Sequence, residues 1–460
     1  MFSNIAKTIS NCFKIPELKS RILFTLMILA ICRFVAIIVV PGLNGGLLKE
    51  FFEEQAKRGG SSMMGMYSMF TGGAVEKCAV GALGIMPYIS ATIIIQLLTA
   101  VVPTLSKLAR EEGGRTKLIQ YGRYLTVLLC LGQGFFMALT WENPDKIFGG
   151  HLGGSLVLMD VMWWYRIQTT LILTTGTLLL MWLGEQITDR GIGNGVSLVI
   201  TIGILARLPS AGQSLIEMYW PPEGIERHYN IFHAGALIIL LGAVVAGVIA
   251  VTQAQRKVPV QYAQRTVGRK SYAGTSSFMP LRVNYSGVMP IIFAQAILMF
   301  PDKILNALHA SFNLPLFGHI ASRFREGEPV YLIVYSLMIL FFSYFWVATQ
   351  FNELQISDDL KKYGGYIPGV RPGAATCNFL HHAMSRITLA GAVFLTVIAI
   401  IPILMGRLMN IPYQVNSFFG GTSMLIIVGV LLDTMRQVES HLLMRHYDGF
   451  LKKGRIRGRF

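Results

Sequence analysis

The chain has 460 residues, of which 53% are hydrophobic and only 14% charged, against roughly 25% charged in an ordinary soluble domain. That excludes a typical water-soluble globular enzyme and places the chain in a membrane. The formal charge of +16 is large enough to suggest nucleic acid, so its distribution along the chain has to decide its meaning.

A basic arm (Lys7, Lys14, Lys19, Arg21) precedes the apolar run 22–40, interrupted only by Arg33. It resembles a signal peptide but lacks a small-x-small cleavage pattern, and reads as a retained first helix. Uncharged, mostly apolar runs follow at 78–106, 124–141, 167–184, 191–206, 234–255, 283–301, 329–352, 387–406 and 408–432. A helix needs about 20 residues to cross roughly 30 Å of hydrocarbon, and most of these runs reach or approach that length. The run 191–206 is too short and glycine-rich to assign by hydropathy alone. With ten spans, the side holding both termini carries 27 Lys+Arg against 11 Asp+Glu, and the other side 11 against 12. The positive-inside rule makes the first side cytoplasmic.

The first long departure from helix hydropathy is 41–77, on the outer side, with SSMMGMYSMFTGGAVEK from Ser61. Ser62 to Phe70 is apolar and rich in methionine, yet nine residues of helix cover only about 14 Å. The segment therefore re-enters, caps something or lies on the surface; a loop with an amphipathic patch fits the same residues. Gly72-Gly73 gives the backbone freedom to turn after it.

On the cytoplasmic side, 255–282 carries six cations (Arg256, Lys257, Arg265, Arg269, Lys270, Arg282) and no acid. It is either a solvated, topology-fixing face or, with Tyr262 and Tyr272, a contact for ribosomal RNA or an acidic protein surface. The loop 352–386 holds GGYIPGVRPG (364–373), which presents Arg371 on a stiff turn.

Chemistry-bearing patterns are scarce. The histidines include no HExxH pair, and the chain has no GxxxxGK[ST], no GxSxG and no intramembrane carboxylate pair, so no enzymatic activity, metal or cofactor is expected. Cysteines 12, 32, 78, 130 and 377 form no CxxC, and neither a disulfide nor a zinc site is expected. Uncharged polar groups do sit on spans: Gln96, Asn194, Ser197 and Asn284. They either glue helices together or line a contact that can break.

Five segments in order, GALGIMPYISATIIIQLL (81–98), MWLGEQITDRGIGNGVS (181–197), VNYSGVMPIIFA (283–294), PGVRPG (368–373) and FFGGTSMLIIV (418–428), closely resemble the SecY family, the channel subunits of the bacterial Sec translocon. The resemblance runs from the basic arm to the LKKGRIRGR tail. It implies an all-α integral membrane protein, ten transmembrane helices in two pseudo-symmetric five-helix halves around a central pore. The divisions are a cytoplasmic arm (1–21), a first half (22–206), a second half (207–435) with cytoplasmic loops at 255–284 and 352–386, and a basic tail (436–460).

Carried over position by position, the resemblance puts a pore ring on Ile85, Ile89, Val196, Ile200, Ile292 and Ile426, with valine at 196 where isoleucine is common. It makes 62–75 a plug, including Met63, Met64, Met66, Tyr67, Met69, Phe70, Gly72 and Gly73. A lateral gate falls on Ser90, Gln96, Asn284 and Phe300, and docking of a motor or ribosome on Arg265, Arg269, Lys270 and Arg371. The implied function is a channel that passes unfolded secretory polypeptides and releases hydrophobic segments sideways into the bacterial cytoplasmic membrane. The implied partners are SecE, SecG, the SecA motor, the ribosome, signal peptides, nascent chains and lipid. A secondary transporter of a small solute is the rival reading; it calls for convergent polar groups at midspan, where the resemblance places aliphatics.

Overall fold

The structure is a computed structural model describing residues 15–57, 68, 70–111, 113–142, 155–220, 229, 231–262, 265–267, 270–272, 276–312, 320, 322–324, 327–409, 411, 415, 418 and 422–453. Helix α1 (Pro16–Val35) opens on a proline, which needs no amide acceptor there, and places Glu17 in its first turn. Leu18, Thr25, Ile28, Cys32 and Val35 face inward, while Leu23, Leu26, Met27 and Phe34 are exposed. Apolar groups on both faces are what a helix between protein and lipid requires.

After α2 (Gly45–Lys57), the charge-free run from 78 does not begin as helix. Residues 72–85 are held in turns, and α3 runs only from Met86 to Val101, with Pro87 in its first turn. Pro103 ends it by forcing Val102 into extended backbone (φ −92°, ψ 113°), and α4 (Pro103–Arg110) leaves at 104°. Helices α5 (Gly114–Glu142) and α6 (Met162–Arg190) run antiparallel. They are clamped at one end by Arg123–Glu185 and at the other by Arg166–Glu142, both at 2.8 Å.

Asn194 caps α7 (Gly195–Leu205) by accepting from the Ser197 amide. The chain breaks at Ala206–Arg207 and continues as α8 (Leu208–Tyr219). Gly195–Tyr219 together supply 25 residues, enough to span, so the short fifth run gains its length from residues beyond Arg207.

Helix α9 (Ile231–Gln253) leads into the basic loop 255–282, which is a sheet. Strand β1 (Gln255–Tyr262) pairs antiparallel with β4 (Ser276–Arg282), from Gln255↔Arg282 to Gln261↔Ser276. Between them β2 (Arg265–Val267) and β3 (Lys270–Tyr272) form a second ladder. Beyond these lie α10 (Met289–Phe312), α11 (Pro329–Gln350), α12 (Glu353–Lys362), β5 (Gly365–Tyr366), α13 (Ala374–Leu408) and α14 (Thr422–Lys453). β5 joins the free edge of β1, giving the order β4-β1-β5. Val258 and Val260, alternate residues of β1, pack with Leu281 on Val347, Phe351, Ile367, Leu380 and Met384. That apolar seat fixes the sheet to the ends of α11 and α13.

Among the described residues, six segments are long and apolar enough to cross a membrane, and the bent pair α3–α4 makes a seventh. Helices α1, α3, α5, α6 and α7 pack in one group; α9, α10, α11, α13 and α14 pack in another. The groups meet where α3 lies on α10 and α7 on α14, and one apolar cluster runs through both.

Candidate functional site

The predicted ring residues lie on elements of both helix groups and belong to, or pack against, the apolar cluster that runs through them. Ile85, Ile89, Ile200, Ile292 and Ile426 are each no more than 3% exposed, and half-buried Val196 packs on the same cluster. Ile85 occupies the N-cap of α3, and its carbonyl accepts from the Ile89 amide at 3.2 Å, so both side chains share the first turn. A β-carbon on Gly184 of α6 would stand 3.6 Å from Ile85 Cδ1 and from the Val196 amide. These are ordinary van der Waals distances, so α6, α7 and the start of α3 lie close together around position 184. The cluster also holds packing residues such as Tyr331, Tyr335 and Phe342.

Beside this cluster, the segment before α3 is stitched to the end of α1. Gly81 N donates to Val35 O at 3.1 Å, Val80 N to Ile38 O at 2.8 Å and Val40 N to Cys78 O at 2.9 Å. Gly72 and Gly73 have φ of +65° and +83°, a region that residues with a β-carbon avoid. A β-carbon on Gly72 would also meet the Arg33 guanidinium and come within 3.0 Å of the Gly203 carbonyl. Phe70 is half-buried on the core, while Ser68, Ala74 and Val75 are fully buried. The predicted plug residues Met63, Met64, Met66, Tyr67 and Met69 lie outside the described residues.

Polar groups that the sequence analysis did not single out as a site surround this segment. Arg33 donates to the Gly72 carbonyl at 3.3–3.4 Å, Ser68 Oγ donates to Glu76 Oε1 at 2.7 Å, and Arg207 pairs with the same carboxylate oxygen. A cavity beside them is lined by Cys32, Arg33, Phe70, Thr71, Ile85 and Gly203, among others.

Of the predicted gate residues, Ser90 lies buried on α3 and donates to the Met86 carbonyl at 3.0 Å. Gln96, also on α3, keeps its Oε1 buried without a partner among the described residues. Asn284 does not lie on a helix: its amide donates to Gly287 O at 2.9 Å and its Oδ1 accepts from Ser286 Oγ at 3.1 Å, holding the turn before α10. Phe300 belongs to α10, its side chain outside the described set. The helices carrying Ser90 and Phe300 are the pair in contact, α3 and α10.

At the tip of the loop after β5 Arg371 is exposed, and the loop is braced from beneath. Buried Thr376 donates to Arg371 O at 2.9 Å and buried Ser357 to Gly373 O at 2.8 Å. Arg265 and Lys270 sit on β2 and β3, in register with Tyr272 and Val267; Arg269, between the strands, is outside the described residues.

The SecY family model matches residues 79–435. The protein translocase subunit SecY of Chlamydia trachomatis serovar D is 42% identical over 459 residues, covering 98% of this chain and 99% of that one. The protein of the same name from Thermotoga maritima is 41% identical over 453 residues, covering 98% of each. Among solved structures, one described as a protein conducting channel superposes with a TM-score of 0.58 at 19% identity, covering 91% of both chains. Sec61 in the canine ribosome-channel complex from the endoplasmic reticulum superposes with a TM-score of 0.54 at 18% identity, again over 91% of both.

Proposed function

The chain belongs to the SecY family and is a protein translocation channel; from that premise we propose how its residues divide the work. Ten transmembrane helices in two halves surround a pore, with α1, α3, α5, α6 and α7 in the first half. Both termini lie in the cytoplasm of a bacterial cell, and the chain itself catalyses no reaction. Ile85, Ile89, Val196, Ile200, Ile292 and Ile426 form the constriction. Aliphatic groups offer a hydrated ion no ligand, so entry into a narrow dry ring costs most of its solvation. An extended polypeptide pushes flexible aliphatics aside and is gripped by them.

The observation that supports this reading is that Ile85, Ile89, Ile200, Ile292 and Ile426, from elements of both helix groups, are buried in one apolar cluster with Val196 packed against it, and that Ile85 lines the same cavity as Phe70 and Thr71. Residues 62–75 are the plug that fills the outer funnel at rest. Ser90, Gln96, Asn284 and Phe300 belong to a lateral gate between α3 and α10, through which a segment of about 20 apolar residues partitions into lipid. Energy and direction come from outside, from a SecA motor or a translating ribosome docked on Arg265, Arg269, Lys270 and Arg371, and SecE and SecG complete the complex. Relatives named as translocase subunits give no support to a small-solute transporter. Proteoliposomes should import a secretory precursor when supplied with motor and ATP; uptake of small solutes without precursor movement would reject the channel reading.

A further inference from the structure

We propose that Glu76, Arg207 and Arg33 form a polar latch on the plug, and that this latch sets how strongly apolar a segment must be before the channel opens to it. The inference rests on reading 62–75 as the plug. The described end of that segment is held by two kinds of contact. Apolar packing of Phe70, Ala74 and Val75 is non-directional and weakens gradually as surfaces slide. The polar contacts are directional and long-range: Arg33 comes from α1, 39 residues away from Gly72, and Arg207 is 131 residues from Glu76.

Glu76 is the joint. One carboxylate oxygen takes both the Ser68 hydroxyl of the plug and the guanidinium of Arg207, at the break between α7 and α8. Each partner of this ion pair is 18% exposed, so parting them leaves two charges in a site with little water to solvate either. Arg33 tethers the same segment through the Gly72 carbonyl, and Gly203 of α7 closes on it from the other side; a β-carbon there would stand 2.9 Å from Phe70 O. Leaving the funnel therefore requires breaking charged hydrogen bonds in addition to apolar contact. An incoming segment must supply that free energy by its own intercalation, so weak signals fail while the latch holds.

The test uses membrane vesicles carrying the full chain, fused to planar bilayers for resting ion conductance. The same vesicles are assayed for export of a precursor whose signal core contains one added charge. E76Q and R207Q should each raise resting conductance about tenfold and admit the weakened precursor, the factor that loss of one charged hydrogen bond represents. The double variant should be no leakier than either single one, because both remove the same contact. Singles indistinguishable from the intact channel, or a double variant in which the two effects multiply, would overturn the latch. If R207Q does not accumulate, E76Q decides alone, since an amide of equal size keeps an acceptor for Ser68. Deleting 62–70 separates the two readings. A leaky deletion with tight E76Q and R207Q rejects only the latch; a tight deletion rejects the plug, and the latch with it.

Discussion

Tyr366 stands opposite Gln261 in the three-stranded sheet and donates its hydroxyl to Gln261 Oε1 at 3.0 Å. Through that pair the loop bearing Arg371 is welded to the basic strand loop, so the two surfaces proposed to receive a motor form one platform. Arg371 is the exposed cation at its tip, held by Thr376 and Ser357 from below. Arg371→Glu should abolish ATP-driven precursor transport, because a rigidly presented cation facing an acidic or carbonyl-rich partner becomes a repulsive anion. Stability and resting conductance should hardly change. Wild-type transport by this variant, scored together with motor binding, would reduce the tip to a turn and leave docking to the sheet.

The proposed constriction predicts a second outcome. Ile89 and Ile426 are buried on opposite helix groups, and a serine at either site brings a hydroxyl that holds water in the narrowest part. Ile89→Ser and Ile426→Ser should each increase resting conductance and relax the requirement for a strongly apolar signal, since a wetted constriction costs less to open. Altered expression with unchanged conductance and unchanged signal dependence would reassign both side chains to packing.

Several spans were legible because lipid imposes a plain rule, about 20 apolar residues without charge: the runs 124–141, 167–184, 234–255, 329–352 and 387–406 all fall on helices long and apolar enough to cross a membrane. What escaped was determined by partners far away in sequence. Run 78–106 looks continuous, yet its first eight residues are turns, because Val80 and Gly81 bond to the end of α1 instead of to their own neighbours. The sheet at 255–282 was hidden among charges: Val258 and Val260 alternate for too short a stretch to stand out, and their burial depends on α11 and α13. Isoleucines 85, 89, 200, 292 and 426 are typical packing residues by type, so only the resemblance marked them. Glu76 and Arg207 gave a weaker signal, two opposite charges at the edges of apolar runs, which pair only where the turns before α3 meet the break between α7 and α8.

Gly195 offers a test of that assembly. A β-carbon there would lie 1.8 Å from the Gly184 carbonyl and 2.9 Å from Ile187 Cβ, so α7 must retreat from α6 to accept alanine. Gly195→Ala should destabilise the folded chain by about 1–3 kcal/mol, the usual cost of overpacking, visible as a lower melting temperature in mild detergent. A melting temperature equal to that of the unaltered protein would mean that α6 and α7 have room to part freely.

The proposed lateral gate makes the last prediction. Ser90 and Phe300 ride on α3 and α10, the helices through which the two groups touch, and Ser90 spends its hydroxyl on its own helix at Met86 O. Its replacement therefore breaks no hydrogen bond between the groups. Cysteines at both positions, placed in a background whose native cysteines are replaced, should form a disulfide under oxidant if the two residues oppose each other across the proposed gate, since the bond requires a Cα separation of about 4.4–6.8 Å; failure to crosslink would sink the assignment. The oxidised channel should stop exporting precursor while holding ions at rest, since the seam is locked but the constriction is untouched. Reduction should restore export, and so should a bismaleimide spacer long enough to keep the helices apart. Export that continues at the wild-type rate with the disulfide fully formed would show that polypeptides pass without parting α3 from α10.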